Sequence, residues 1–378
     1  LDDHAGTLGG IPINTMNLDD YGWNKSWETQ FLEAGGNDDV VPARVTAVYS
    51  DRFEVATAAG TKEAVMTGRL RYNTTYAARK PSIGDWVMAV PNPHGPYAIR
   101  SVLPRETCLQ RQGVDGNVEA QVIGANIHRC MLLQALVGDF NLARLDRYLS
   151  VIWDAGITPL LVLTKADLLS EEEVNDHRAR AEDYSPGLDV VAVSSISGYG
   201  VDRLRSLLTP GTTNVAIGSS GVGKSTLLNL LLGEEKMDTA DVRQDDQRGR
   251  HTTTHRQMFR LPGGALFIDT PGMREIGLFN YDGVKTAFAD IARIAARCKF
   301  TDCTHTDEPE CAVREALASG DLDPDRWESF QKLKGEERFL QAKEIKLGKK
   351  ISKARIKRQK VHYKDFKRGR YVDVDDDY

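Results

Sequence analysis

Residues Gly218 to Ser225 read Gly-Ser-Ser-Gly-Val-Gly-Lys-Ser, the G-x-x-x-x-G-K-S spacing of a phosphate-binding loop. Gly218, Gly221 and Gly223 let backbone N–H groups turn inward around phosphates, with Ser219, Ser220 and Val222 completing the cradle. An apolar strand candidate, Thr213 to Ile217, precedes the loop, and helical periodicity starts at Lys224. The helix N-terminus then adds a field that favours an anion. Lys224 is expected on the β- and γ-phosphates and Ser225 on Mg²⁺, with Thr226 closing the nucleotide-binding stretch.

The loop alone does not separate ATP from GTP. Thr164-Lys165-Ala166-Asp167, directly after an apolar strand, does more. A carboxylate at Asp167 can accept both the N1–H and the 2-amino group of guanine, a donor pair that adenine lacks. Lys165 can lie over the base and brace the phosphate loop. Ser194 and Ser195 follow another strand and can frame guanine O6 through a backbone N–H. Asp269-Thr-Pro-Gly272 follows a further strand. Asp269 is expected to hold the Mg²⁺ shell, and the Gly272 N–H to sense the γ-phosphate. Between these motifs lies Gly249-Arg-His-Thr-Thr-Thr-His255, a polar segment suited to a switch. One of Thr252, Thr253 and Thr254 can complete Mg²⁺ coordination, and the sequence does not choose among them. Met273, after Gly272, cannot orient water as a glutamine does. His251 is the candidate for that task; the alternative is that it contacts a partner or shapes the switch. Intrinsic turnover is expected to be slow.

A second chemistry is concentrated in Cys298-x4-Cys303-x-His305-x5-Cys311. Three thiolates and an imidazole suit one tetrahedral Zn²⁺, and a filled sphere makes the site structural. Cys108, Cys130 and His128 are expected to be structural residues rather than ligands. An odd cysteine count with this clustering points away from a disulfide framework and inside the cell.

Positioning these groups requires an α/β layer. Apolar strand candidates are Met131 to Val137, Pro159 to Leu163, Asp189 to Val193, Thr213 to Ile217 and Ala265 to Ile268. Helical patterns fill Leu142 to Ala155, Glu171 to Tyr184, Val201 to Leu208 and Lys224 to Leu232. Ahead of them, Val40 to Val48, Arg52 to Ala58, Lys62 to Leu70, Asp85 to Val90 and Tyr97 to Leu103 predict a small barrel of OB or SH3 type. Arg52, Arg69 and Arg71 are candidates for an RNA-binding face of that barrel. Residues 1–38 read as a flexible extension holding one short helix around Ser26 to Glu33, with Trp23 and Trp27 anchoring it to the body or, alternatively, to a partner. Residues 284–330 look helical around the cysteine cluster.

The formal net charge of -5 hides an asymmetry. Gln331 to Arg370 holds 16 basic and 4 acidic residues, net +12; the rest holds 33 and 50, net -17. A basic arm on an acidic body suits a polyanion, with Lys349, Lys350, Lys353, Arg355, Lys357 and Arg358 as candidate RNA contacts. The 41% hydrophobic composition excludes disorder of the whole chain. No apolar run approaches the 18 or more residues of a membrane span. Residues 1–20 lack a basic start followed by an apolar run, so no secretory leader is expected there.

The base-reading motifs precede the phosphate loop, the reverse of ordinary small GTPases. Joining the original ends of such a sheet and opening it elsewhere gives this order. In these motifs and their order the chain resembles the circularly permuted, small-subunit-dependent ribosomal GTPases of the RsgA/YjeQ family, over about residues 38–330. The resemblance implies a multidomain α/β protein: an OB-type RNA-binding barrel over 39–105, a circularly permuted P-loop GTPase domain over 106–280, and a helical zinc-binding domain over 281–330. A basic extension with an acidic end fills 331–378. It also implies a cytoplasmic GTP hydrolase that binds GTP/GDP and Mg²⁺. Such a protein acts late in 30S assembly, contacts 16S rRNA and leaves on hydrolysis. A monomer with no membrane partner is expected. Thr164 stands where many GTPases have asparagine. It offers no amide N–H to the base or the neighbouring loop, which predicts weaker nucleotide binding.

Overall fold

Nine residues of alternating apolar character build the first barrel strand, β1 (Val41–Tyr49). It is followed by β2 (Arg52–Thr57), β3 (Gly60–Met66), the short helix α2 (Gly68–Asn73), β4 (Trp86–Val90) and β5 (Tyr97–Val102). The computed structural model describes residues 17–73, 80–111, 121–185, 187–234, 256–269, 282–336 and 338. The strands pair in the order 1-2-3-5-4 and return to β1; β3 and β5 are parallel and the other pairs antiparallel. This is an OB-type closed barrel. Ala43, Val45, Phe53, Val55, Ala64, Val87, Ala89 and Ile99 fill it. The expected strand Lys62 to Leu70 stops at Met66. Thr67 ends it by capping α2, its hydroxyl accepting the Leu70 N–H at 3.3 Å.

The helix expected around Ser26 to Glu33 is present in the described part of residues 1–38. Leu18–Tyr21 form a 3₁₀ turn and Lys25–Glu33 form α1, capped by Asn24 Oδ1 on the Ser26 and Trp27 N–H groups. Trp27 and Phe31, one helical turn apart, are buried against Trp86, Met88 and Leu103 of the barrel region. Burying each is worth about 1.5–3 kcal/mol, enough to hold a short helix in place. The expected anchoring by tryptophan is present, since the Trp23 and Trp86 rings meet edge-on at 4.7 Å.

Beyond the barrel, β6 (Cys108–Arg111) and β7 (Gln121–Ala125) pair antiparallel. The α/β layer then follows: β8 (Arg129–Ala135), α3 (Leu142–Asp154), β9 (Thr158–Thr164), α4 (Glu171–Tyr184), β10 (Asp189–Ala192), α5 (Val201–Leu207), β11 (Thr213–Gly218), α6 (Lys224–Leu232), β12 (Arg256–Arg260) and β13 (Leu266–Ile268). Strands β10-β9-β8-β11-β13 run parallel in that order, with β12 antiparallel beside β13. Strand β12 reads Arg-Gln-Met-Phe-Arg, and only Met258 is buried, so its apolar signal is faint. It also pairs with the end of β1, Ala47 opposite Gln257 and Val48 opposite Arg256. Barrel and nucleotide layer therefore share one 11-stranded sheet. Arg44, fully buried in β1, spans the junction. Its Nη2 donates to Thr213 Oγ1 at 3.0 Å and to the Asn126 carbonyl at 3.3 Å.

Helices α7 (Asp282–Ala287), α8 (Ala289–Ala295) and α9 (Ala312–Ser319) follow. The described residues divide into two compact units at Glu315/Ala316. Val284, Ala287, Phe288 and Ile291 are buried in the first unit. In the second unit residues 324–336 are helical, and Asp323 Oδ1 accepts the Arg326 N–H at 3.0 Å. Among the described residues no helix is long and apolar enough to cross a membrane.

Candidate nucleotide site and metal centre

The carboxyl ends of the parallel strands are where an α/β sheet presents its ligand loops. The Gly218 loop follows β11, the Thr164 segment ends β9, Ser194 follows β10 and Asp269 follows β13. Four motifs spread over more than a hundred residues thus emerge from one edge of the sheet. At Gly218 a Cβ would lie 2.7 Å from the Leu133 carbonyl oxygen, so only glycine lets β11 approach β8 there. Gly223 caps α6 with φ +94 and no side-chain bond to its first N–H groups. A helix start left uncapped by side chains suits a phosphate.

Thr164 lacks an amide N–H, yet it reaches the phosphate loop. Its side chain is buried, and its hydroxyl donates to the Val222 carbonyl at 2.6 Å. An O–H does here what an amide N–H was expected to be needed for: it braces the phosphate loop from the base-reading segment. Lys165 follows with φ +62, a left-handed turn that starts a 3₁₀ turn over Ala166–Leu168. Asp167 is exposed on that turn. The Ala166 N–H donates to the Val193 carbonyl at 3.1 Å, joining this turn to the end of β10.

The two serines after β10 separate in role. The Ser194 N–H donates to the Tyr199 carbonyl at 2.9 Å, and its hydroxyl accepts from the Ile196 and Ser197 N–H groups. Ser194 is fully buried, and these bonds shape the loop that carries Ser195. Ser195 is half-buried beside it. The Asp269 N–H donates to the Gln257 carbonyl at 2.9 Å, which ties this motif to β12. The switch residues His251, Thr252, Thr253 and Thr254, Gly272, and the arm residues Lys349, Lys350, Lys353, Arg355, Lys357 and Arg358 lie outside the described residues. Of the barrel arginines, Arg69 and Arg71 are exposed on α2, while Arg52 is paired with Glu63.

The cysteine cluster is assembled. The ligand atoms of Cys298, Cys303, His305 and Cys311 all lie within 4.8 Å of one another. Cys298 and Cys311 sulfurs are 3.9 Å apart, and His305 Nδ1 lies 3.6 and 3.5 Å from them. Zn–S and Zn–N bonds of about 2.3 and 2.05 Å in a tetrahedron give edges of about 3.8 and 3.6 Å. The donor set and its spacing therefore fit zinc. The other cysteines do not join it: burial pushes the Cys130 thiol up, and Cys108 Sγ lies 3.8 Å from Arg105 Nη1. His128 Nδ1 accepts the Thr213 N–H at 3.0 Å, a structural contact at the start of β11.

Residues 102–279 match the family described as RsgA GTPase. The chain is 42% identical over 322 residues to the small ribosomal subunit biogenesis GTPase RsgA 2 of Lactiplantibacillus plantarum, covering 85% of this chain and 90% of that one. It is 41% identical over 330 residues to the corresponding RsgA of Syntrophotalea carbinolica, with 85% and 90% covered. The chain belongs to the RsgA GTPase family. The crystal structure of YjeQ from Thermotoga maritima superposes on this RsgA-family chain with a TM-score of 0.61 at 26% identity, covering 79% of this chain and 98% of that one. YloQ, a circularly permuted GTPase, shares the fold with a TM-score of 0.59 at 23% identity over 80% and 97%. The permuted order of motifs in the RsgA fold is the order found along this sheet.

Glu308 and Arg44 were not legible as site-shaping residues. The bonds of Glu308 to the ligand loop have a faint signal in the spacing Thr304-x-Thr306-x-Glu308. Arg44 had only the oddity of a cation in an apolar strand.

Proposed function

We propose that this chain hydrolyses GTP as a late maturation checkpoint of the small (30S) ribosomal subunit. It binds the particle through 16S rRNA and leaves it on hydrolysis. The observation that carries the nucleotide part is the direct bond from Thr164 in the base-reading segment to Val222 in the phosphate loop. The ribosomal part comes from the small ribosomal subunit biogenesis GTPases to which the chain is similar.

Asp167 reads guanine N1–H and the 2-amino group, Lys165 covers the base, and the Ser195 N–H meets O6. The backbone of 218–223 and the start of α6 hold the phosphates, with Lys224 on the β- and γ-oxygens. Ser225, Asp269 and one switch threonine hold Mg²⁺, which when bound neutralises charge developing on the phosphates. His251 is assigned the orientation of the attacking water. The four-ligand cluster holds one structural zinc. Arg69 and Arg71 of the barrel and the basic arm are assigned to phosphate-backbone contacts, and a monomer in the cytoplasm is the working state.

Strand β12 supports a route between nucleotide state and barrel. It is bonded on one side to β13, which leads into Asp269, and on the other to β1. A shift of the Asp269 segment on hydrolysis is thereby transmitted to barrel backbone.

The test is binding of GTP, ATP and xanthosine triphosphate to the full chain and to Lys224→Ala. Guanine-selective binding that Lys224→Ala abolishes is expected. Near-normal affinity in that variant would remove the phosphate-loop assignment. A nucleotide-independent RNA-binding assembly protein is the alternative, supported if particle binding ignored GTP altogether.

A further inference from the structure

Glu308 is an acidic side chain that neither the nucleotide site nor the four ligand positions use. Its carboxylate folds back on the loop between the ligands. Oε1 accepts the Thr304 N–H at 2.8 Å and the Thr304 hydroxyl at 2.5 Å; Oε2 accepts the Thr306 N–H at 3.0 Å. The two threonine hydroxyls are themselves 2.8 Å apart. Thr304 and Thr306 are the immediate neighbours of His305. One carboxylate therefore holds the backbone on both sides of the only imidazole in the cluster.

That holding has something to oppose. His305 has φ +64, a left-handed conformation that costs a residue with a side chain about 1–2 kcal/mol. Such backbone persists where its surroundings over-determine it. With this turn, His305 Nδ1 sits at 3.6 and 3.5 Å from two thiol sulfurs. The Thr304 hydroxyl and amide hold the Glu308 carboxyl well below the usual carboxylate range, at about 2. It is thus an anion across the neutral range and an efficient acceptor. Glu310, next to Cys311 in sequence, behaves differently: its side chain pairs with Lys299 and is exposed.

We propose that Glu308 is a positioning residue of the metal centre: its grip on Thr304 and Thr306 aims His305 Nδ1 at a zinc ion. This rests on the zinc reading given above. Removing outer-shell partners of this kind lowers metal affinity by about 10–100-fold.

The experiment is competition between a chromogenic chelator and the full chain for Zn²⁺, with Co²⁺ substitution as a spectroscopic readout. Glu308→Ala is expected to lose zinc about 10–100-fold more readily, with Glu308→Gln in between because one neutral acceptor oxygen remains. The Co²⁺ spectrum of Glu308→Ala should keep the band positions of the three-thiolate, one-imidazole set, since the ligands are unchanged. Glu310→Ala removes the same charge from the same loop and should stay within about twofold of the parent. Thr304→Val should weaken zinc, and adding Glu308→Ala to it should cost less than Glu308→Ala does alone. Glu308→Ala holding zinc as tightly as the parent would overturn the inference while sparing the zinc reading. An equal loss in Glu310→Ala would overturn it too, since charge alone would then suffice. A parent chain that binds neither Zn²⁺ nor Co²⁺ would remove both.

Discussion

The Thr164 hydroxyl donates to the Val222 carbonyl at 2.6 Å across 58 residues of sequence. It couples the segment that reads the base to the loop that holds the phosphates. Thr164→Val keeps the shape and leaves the buried Val222 carbonyl without this donor. An unsatisfied buried acceptor costs about 1–3 kcal/mol, so GTP and GDP binding should weaken by about 5- to 150-fold. Thr164→Asn should bind close to the parent, because its amide restores a donor. Guanine preference should survive in both. Calorimetric titration with both nucleotides checks this.

Recognition of the guanine N1–H and 2-amino donor pair is assigned to Asp167. Asp167→Asn exchanges one acceptor for a donor, so GTP should lose its advantage and xanthosine triphosphate should gain one. Competition against a labelled guanine nucleotide measures the exchange. The fold is expected to be unaffected, since Asp167 is exposed.

Acid should loosen the start of β11. Burial, reinforced by the Arg44 charge, holds the His128 imidazole below its ordinary range. Its Nδ1 accepts a backbone N–H and so must be unprotonated. A depressed folded value gives stability that is fully present above the unfolded value, about 6.5, and is lost as pH falls toward the folded one. The slope from this group is at most about 1.4 kcal/mol per pH unit. Urea denaturation across that interval should show it, and His128→Asn should flatten it.

The N-terminal helix is part of the barrel's packing. Trp27 is 2% exposed, and Trp27→Ala should destabilise the first unit by about 3–5 kcal/mol. Chemical denaturation measures this. A change below about 1 kcal/mol would mean that α1 docks without contributing to stability.

The parts legible in sequence are those whose chemistry and geometry are local. The Gly218–Ser225 loop, the Asp167 turn and the Cys298–Cys311 cluster each announce themselves within a few residues. The five parallel strands were visible because each carries a largely buried apolar run. What was missed depends on partners far along the chain. The role of Thr164 needed Val222, 58 residues on, beside it. Strand β12 was invisible because pairing with β1 and β13, not apolar burial, defines it. Glu308 looked like any loop carboxylate until Thr304 and Thr306 were seen to turn toward it.

The most direct test of the account is steady-state GTP hydrolysis by the full chain, alone and with purified small or large ribosomal subunits. Slow turnover alone and strong stimulation by small subunits only, lost in Lys224→Ala, is the predicted result. Equal rates with and without small subunits, in a chain confirmed to bind GTP and zinc, would contradict the checkpoint role.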